Sequence, residues 1–120
     1  MDVLIDDGGA AILPDGALIY LALWDRPCPK DSSLTYTNFA QGFFGDYCLR
    51  CHSDHPTDTS YPPPPNLHFD SLDAVRTYAD AIFGAAADEN VLMPPFGAVP
   101  TSEQRHALGD WLACGLAEGP

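Results

Sequence analysis

The stretch Cys48-Leu49-Arg50-Cys51-His52 decides how the rest of this sequence is interpreted. Two thiols separated by two residues can lie on one side of a single helical turn. The histidine that follows directly presents its imidazole to the same side. The spacing therefore predicts a site at which two sulfur atoms and one imidazole nitrogen hold a single group.

The C-x-x-C-H spacing is the attachment signature of a c-type haem. Each cysteine, Cys48 and Cys51, would form a thioether with one vinyl group, and His52 would bind the iron. A zinc ribbon needs a second C-x-x-C, which the sequence lacks, so zinc would have to be bound by the two cysteines with His55 and His68. A thioredoxin-like pair needs a βαβ setting, and no such pattern is visible. The sequence favours one covalently attached haem c over a zinc-stabilised interaction module.

The composition describes a small and strongly acidic chain. Its 120 residues include 17 acidic and five basic side chains, which gives a formal net charge of −12 at pH 7. This charge disfavours nucleic acid and anionic membranes as partners, and it favours a redox partner protein with a basic docking face. The longest apolar run, residues 17–24, is too short to span a bilayer, so no transmembrane segment is expected.

Four cysteines are present, and two of them would carry the haem. Haem of this type is attached outside the cytoplasm, where disulfides persist. We therefore expect a periplasmic or extracellular protein in which Cys28 and Cys114 form a disulfide, with two separate buried thiols as the alternative. The acidic start of the chain does not resemble a signal peptide, so we expect a processed form or a fragment of an exported protein.

Three helices are predicted in the main part of the chain. The first runs from about Thr37 to Arg50, with Thr35 or Thr37 as its cap. The second spans Ser71 to about Ala87 and carries an apolar stripe. The third opens with the capping box Thr101-Ser102-Glu103-Gln104 and stops near Gly115. The sequence therefore favours a mostly α fold.

Residues 1–33 differ from the rest and are predicted to be an irregular N-terminal extension, whereas residues 34–120 form the helical domain. The uncharged run at residues 17–24 fits either a short strand or a turn of helix, because periodicity does not separate the two. Its apolar side chains should not stay in water. They either cover the helical domain or dock on another subunit in a larger assembly, and docking is favoured.

Met93 is the candidate for the second axial ligand of the iron. A methionine thioether is a soft neutral ligand that raises the reduction potential. The chain has two methionines, and Met1 is terminal, whereas Met93 lies in a loop between two helices and is followed by two prolines. His68 is the less favoured ligand, and His55 and His106 are interpreted as surface residues.

Four motifs, in this order, resemble those of small bacterial class I c-type cytochromes. They are the C-x-x-C-H stretch, Pro65-Asn66-Leu67, Met93-Pro94-Pro95, and Leu108-Gly109-Asp110-Trp111-Leu112. The match covers about Thr35 to Gly115, which is most of the chain. The resemblance implies a cytochrome c-like three-helix haem domain.

The resemblance also implies roles for single residues. The carbonyl of Pro65 would accept a hydrogen bond from His52, which orients the imidazole. Leu67 would press on the haem face. Four further residues would form the crossing of the first and last helices: Ala40, Phe44, Leu108 and Trp111.

Together these features predict a monohaem c-type cytochrome that carries single electrons between redox partners outside the cytoplasm. It would act alone or as a subunit of a larger electron-transfer assembly, and it is not expected to be an enzyme. The alternative is a haem-based sensor or binder of small ligands, in which Met93 is weakly bound or displaced.

Overall fold

A computed structural model describes residues 4–5, 10–12, 18–20, 22–59, 62–64 and 66–119. In these ranges the protein is mostly helical, with one small sheet near the N terminus. The prediction of a mostly α protein is therefore confirmed.

The sheet lies in the N-terminal extension. Strands β1 (Leu4–Ile5), β2 (Ala10–Ile12) and β3 (Leu18–Tyr20) pair antiparallel in chain order. The prediction of an irregular extension was therefore wrong for these residues, since short aliphatic runs separated by Gly- and Pro-containing turn signals form hairpins.

The apolar run at residues 17–24 contains β3, which pairs with β2 of the same chain, and then enters a 3₁₀ turn over Leu23–Asp25. Residues 17 and 21 lie outside the described residues. Leu23 packs against the helical core, whereas Trp24 is 77% exposed. One residue of the run, Leu23, thus contacts the helical domain. Docking of the run on another subunit stays a prediction.

The first helix begins as a π-helical segment, Tyr36–Ala40, and continues as α1, Gln41–Tyr47. Thr35 caps it, because its hydroxyl accepts from the amide of Asn38 at 3.0 Å and its own amide donates to the Asn38 side chain at 2.7 Å. The helix ends three residues before the predicted Arg50. The attachment stretch therefore forms a separate turn after α1.

The predicted second helix is two helices, α2 (Leu72–Thr77) and α3 (Ala79–Ala86). They are separated by Tyr78, whose φ of −109° and ψ of 21° depart from helical values. Ser71 caps α2 by accepting the amide hydrogen of Ala74 at 3.2 Å.

Helix α4 spans Ser102–Ala113. The predicted capping box is present: the Gln104 amide donates to the Thr101 hydroxyl at 3.1 Å, and the Thr101 amide donates to the Gln104 side chain at 2.8 Å. Gly115 follows the helix with a φ of 89°, as expected at a helix end. Both ends of α4 therefore agree with the sequence signals.

The core lies where α1 crosses α4. The rings of Phe44 and Trp111 meet nearly edge to face, with centroids 6.3 Å apart, and the Trp111 indole donates to the Ala117 carbonyl at 3.0 Å. Ala40 and Leu108 are fully buried in the same cluster. The structure thus has the contact between first and last helices that the resemblance implied.

The end of the extension is bound to α4 by a disulfide and an ion pair. Cys28 and Cys114 form the predicted disulfide, with Cα atoms 4.8 Å apart. Arg26 donates through Nε and Nη2 to both carboxylate oxygens of Asp88, at 2.8 and 3.1 Å, and through Nη2 to Asp110 at 2.7 Å. The hydrogen bonds to Asp88 raise the pKa of Arg26. Residues 26–28 therefore connect the extension to the domain that carries the attachment stretch.

Asp88 is held in an unusual position by its neighbours. Its φ of 53° lies in the left-handed region. Its carboxylate lies directly against Gly109, where any Cβ atom would collide with it, so this close approach requires glycine. His106 Nδ1 lies 3.3 Å from a carboxylate oxygen of Asp88.

We expect Asp88→Ala to lower the free energy of unfolding by about 3 kcal/mol, because the partly buried Arg26 loses its two hydrogen bonds to the Asp88 carboxylate. Denaturant unfolding measures the change. The control is Asp73→Ala, since Asp73 has a 98% exposed side chain 4.0 Å from Arg76 and should lose less than about 1 kcal/mol. Equal losses in the two variants would show that the Arg26 pair contributes no more than a surface pair.

Candidate functional site

A cavity of about 420 Å³ lies between the first helix, the attachment stretch, α3 and the Met93 loop (residues 87–97). Its volume falls in the range of about 300–1,000 Å³ that is usual for cofactor sites. Its lining is mostly apolar and includes aromatic side chains and prolines. Five of the predicted site residues line it: Cys48, Cys51, His52, Leu67 and Met93.

The two cysteines of the attachment stretch are free thiols and are half-buried. The amides of Cys51 and His52 both donate to the Cys48 carbonyl, at 3.2 and 2.9 Å, which closes the turn and brings the three side chains to the same cavity. Burial raises the pKa of Cys48 to about 12, so this thiol is neutral at physiological pH.

The imidazole of His52 is fixed from two sides. Its Nδ1 lies 2.8 Å from the Leu67 carbonyl oxygen, and its ring stacks on Phe69 with centroids 4.7 Å apart. Because a carbonyl can only accept, the hydrogen is assigned to Nδ1, and Nε2 keeps a lone pair for a metal. The resemblance assigned this acceptor to Pro65, which lies outside the described residues. The described acceptor is Leu67, so this residue contributes its backbone oxygen as well as a side chain in the cavity lining.

Met93 approaches the cavity from the loop between α3 and α4. Its amide donates to the Ala85 carbonyl at 2.9 Å, and its own carbonyl accepts from Arg105 Nη1 at 2.8 Å. Pro94 and Pro95, which follow it, line the same cavity. The structure therefore brings the predicted second ligand and His52 to one cavity.

Arg50 is a residue of the site to which the sequence analysis gave no role. It lies inside the attachment stretch, yet its guanidinium donates to the Phe96 carbonyl and lies 5.4 Å from the centroid of the Phe96 ring. A Cβ atom at Gly97, whose φ is 77°, would collide with Arg50. Arg50 thus joins the stretch that carries the two thiols to the loop that carries Met93.

The other histidines lie outside the cavity lining. His68 Nδ1 is 2.6 Å from Asp54, and His106 contacts Asp88 and Glu89 at the surface. His55 is exposed. The interpretation of His55 and His106 as surface residues agrees with these positions.

The one potential metal-binding cluster within the described ranges is Asp54, His68 and Asp70, with ligand atoms within 4.8 Å of one another. A hydrogen bond from the Ser53 hydroxyl, 2.6 Å long, holds the pKa of Asp70 below its usual range. This cluster is separate from the two free cysteines. The four residues considered for a zinc site, Cys48, Cys51, His55 and His68, do not form such a cluster within the described ranges.

No protein-family model, curated protein or solved structure matches this chain. None of the helices in the described residues has both the length and the hydropathy needed to cross a bilayer. The interpretation of the site therefore depends on its own residues.

Proposed function

We propose that this chain is a monohaem c-type cytochrome that carries single electrons between redox partners outside the cytoplasm. The observation that carries the proposal is the shared apolar cavity. Two free thiols, an oriented imidazole and a methionine thioether line the same space, although Met93 is far from the attachment stretch in sequence. We infer a cytochrome c-like haem domain around this space.

The residues of the cavity fit a haem. Cys48 and Cys51 are unbonded thiols that are available for thioether bonds. His52 Nε2 offers a lone pair, and Met93 offers the soft sulfur that favours Fe(II). Apart from these ligands the lining is mostly hydrocarbon and aromatic, which suits the face of a porphyrin.

A haem held by these residues would supply reversible exchange between Fe(III) and Fe(II). The protein keeps the ligands in place in both states: the Leu67 carbonyl and the Phe69 ring orient His52, and the backbone hydrogen bonds of the Met93 loop restrict Met93. An apolar lining disfavours the extra positive charge of Fe(III), and a thioether ligand favours Fe(II) over Fe(III). Both effects raise the reduction potential. These contacts would limit rearrangement of the two ligands when one electron arrives or leaves.

The Cys28–Cys114 disulfide supports a location in the periplasm or outside the cell. Disulfides persist in these oxidising compartments and are rare in the cytoplasm. The same disulfide leaves Cys48 and Cys51 as the free thiols of the described chain. The division of the cysteines into a bridged pair and a haem-binding pair therefore agrees with an exported cytochrome.

The surface beside Met93 is suited to a partner protein. Residues 90–100 contain no charged side chain in a chain of net charge −12, and Val91, Leu92 and Val99 are exposed there. We infer a redox partner whose docking face has an apolar centre and basic residues around it. Apolar contact would then lie next to the cavity, and opposite charges would guide the approach.

Haem should remain on the protein after denaturation. Denaturing electrophoresis followed by haem staining should give a stained band for the natural sequence, and the double variant Cys48→Ala, Cys51→Ala should lose the stain because no thioether can form. The matched control is Cys28→Ala, Cys114→Ala, which removes the other two cysteines and should keep the stain. A natural protein that loses its haem on denaturation would overturn the proposal.

Met93→Ala should abolish the weak near-infrared sulfur-to-iron absorption and lower the reduction potential, because water or a histidine would replace a neutral thioether. The control is Leu92→Ala, since the Leu92 side chain next to it is 70% exposed. Absorption spectra and redox titration measure both changes. A natural protein that binds haem but lacks this absorption would favour the sensor, and an unchanged spectrum in Met93→Ala would exclude Met93 as the ligand.

Electron transfer with a basic partner should slow as salt is added. The net charge of −12 attracts a basic surface, and the screening length shortens from about 30 Å at 0.01 M to about 8 Å at 0.15 M ionic strength. Stopped-flow mixing across this interval measures the bimolecular rate constant, with an acidic redox protein as the control for which salt should have the opposite effect. A rate constant independent of ionic strength would contradict the basic docking face.

A further inference from the structure

Arg105 is a buried cation without a carboxylate partner among the described ion pairs. It lies on α4, on the same side as Leu108 and Leu112, and is 5% exposed. The ion pairs that join the described residues do not include it. Burying a charge in this way is costly unless other polar groups surround it.

The groups around Arg105 are backbone carbonyls. Its Nη1 donates to the carbonyl oxygens of Ala86 at 3.0 Å, Asn90 at 3.1 Å and Met93 at 2.8 Å. These three residues are the end of α3, the middle of the Met93 loop, and Met93 itself. Because Nη1 carries two hydrogens, at least one is shared between two carbonyls.

Further hydrogen bonds join the Met93 loop to the backbone of α4 and of α3. The Asp88 amide donates to the Arg105 carbonyl at 2.9 Å, and the Asn90 side chain donates to the Phe83 carbonyl at 3.0 Å. The loop is therefore bound to Arg105 through both its side chain and its backbone. Burial lowers the pKa of Arg105, but a guanidinium remains protonated at physiological pH.

We propose that Arg105 is the positioning residue that holds Met93 in place as the axial ligand. This inference rests on the proposed function, and it adds a residue that lies outside the four family motifs. Hydrogen bonds from a cation to carbonyls are stronger than neutral ones, and loop carbonyls buried without a donor are unfavourable. Removing the guanidinium loosens the loop, so Met93 competes less well with an external ligand for the iron.

The test uses the haem-loaded full chain and imidazole as the competing ligand. Arg105→Gln should weaken the near-infrared sulfur-to-iron absorption and increase the apparent affinity for imidazole, followed in the Soret band, by roughly tenfold or more. Arg105→Lys keeps the charge but loses the planar fork, so its imidazole affinity should lie between those of Arg105→Gln and the natural protein. Arg76→Gln is the matched control, because Arg76 donates to the Leu116 carbonyl, away from the Met93 loop.

Imidazole affinities within twofold of the natural protein in both Arg105 variants would overturn the proposal. If neither variant binds haem, the proposal is tested by NMR on the natural protein instead. Its Arg105 guanidinium signals should be distinct and slow to exchange in nitrogen-15 NMR, and signals averaged with solvent would overturn the proposal. A natural protein without covalent haem or without the sulfur-to-iron absorption would instead refute the proposed function, so the two failures are separable.

Discussion

The edge-to-face contact of Phe44 with Trp111 joins α1, which leads to the cysteine turn, to α4, which is bound to the Met93 loop. Helix α1 carries Phe44 and leads directly into the turn with the two free thiols. Helix α4 carries Trp111 and, six residues earlier, Arg105, which is bound to the Met93 loop. A change in this crossing would therefore move the cysteines and Met93 relative to each other. Because ring packing is short-ranged and dense, such a site tolerates little displacement.

The distribution of positive charge follows from the same architecture. The sequence has five Lys and Arg residues, and three of them contact the segment from residue 86 to residue 97: Arg26 through Asp88, Arg50 through Phe96, and Arg105 through three carbonyls. Three of the few basic side chains of a strongly acidic chain thus anchor the segment that carries Met93.

Local signals predicted more of this structure than long-range ones. The capping box at Thr101, the end of α4 at Gly115 and the mostly helical class depend on neighbouring residues, and they are present as predicted. The break at Tyr78 and the role of Leu67 depend on contacts that periodicity does not contain. Arg105 could have been noticed, because it lies on the apolar side of a predicted helix, but its partners are carbonyls, which every residue has. Their identity required the three-dimensional arrangement.

The Cys28–Cys114 disulfide makes the helical domain a covalent ring. The two cysteines are separated by 86 positions in sequence, and every element from α1 to α4 lies between them. A single cut by a protease at any exposed peptide bond inside this ring leaves both fragments attached to each other. A nicked molecule would thus keep its cysteine turn and its Met93 loop in one covalent unit.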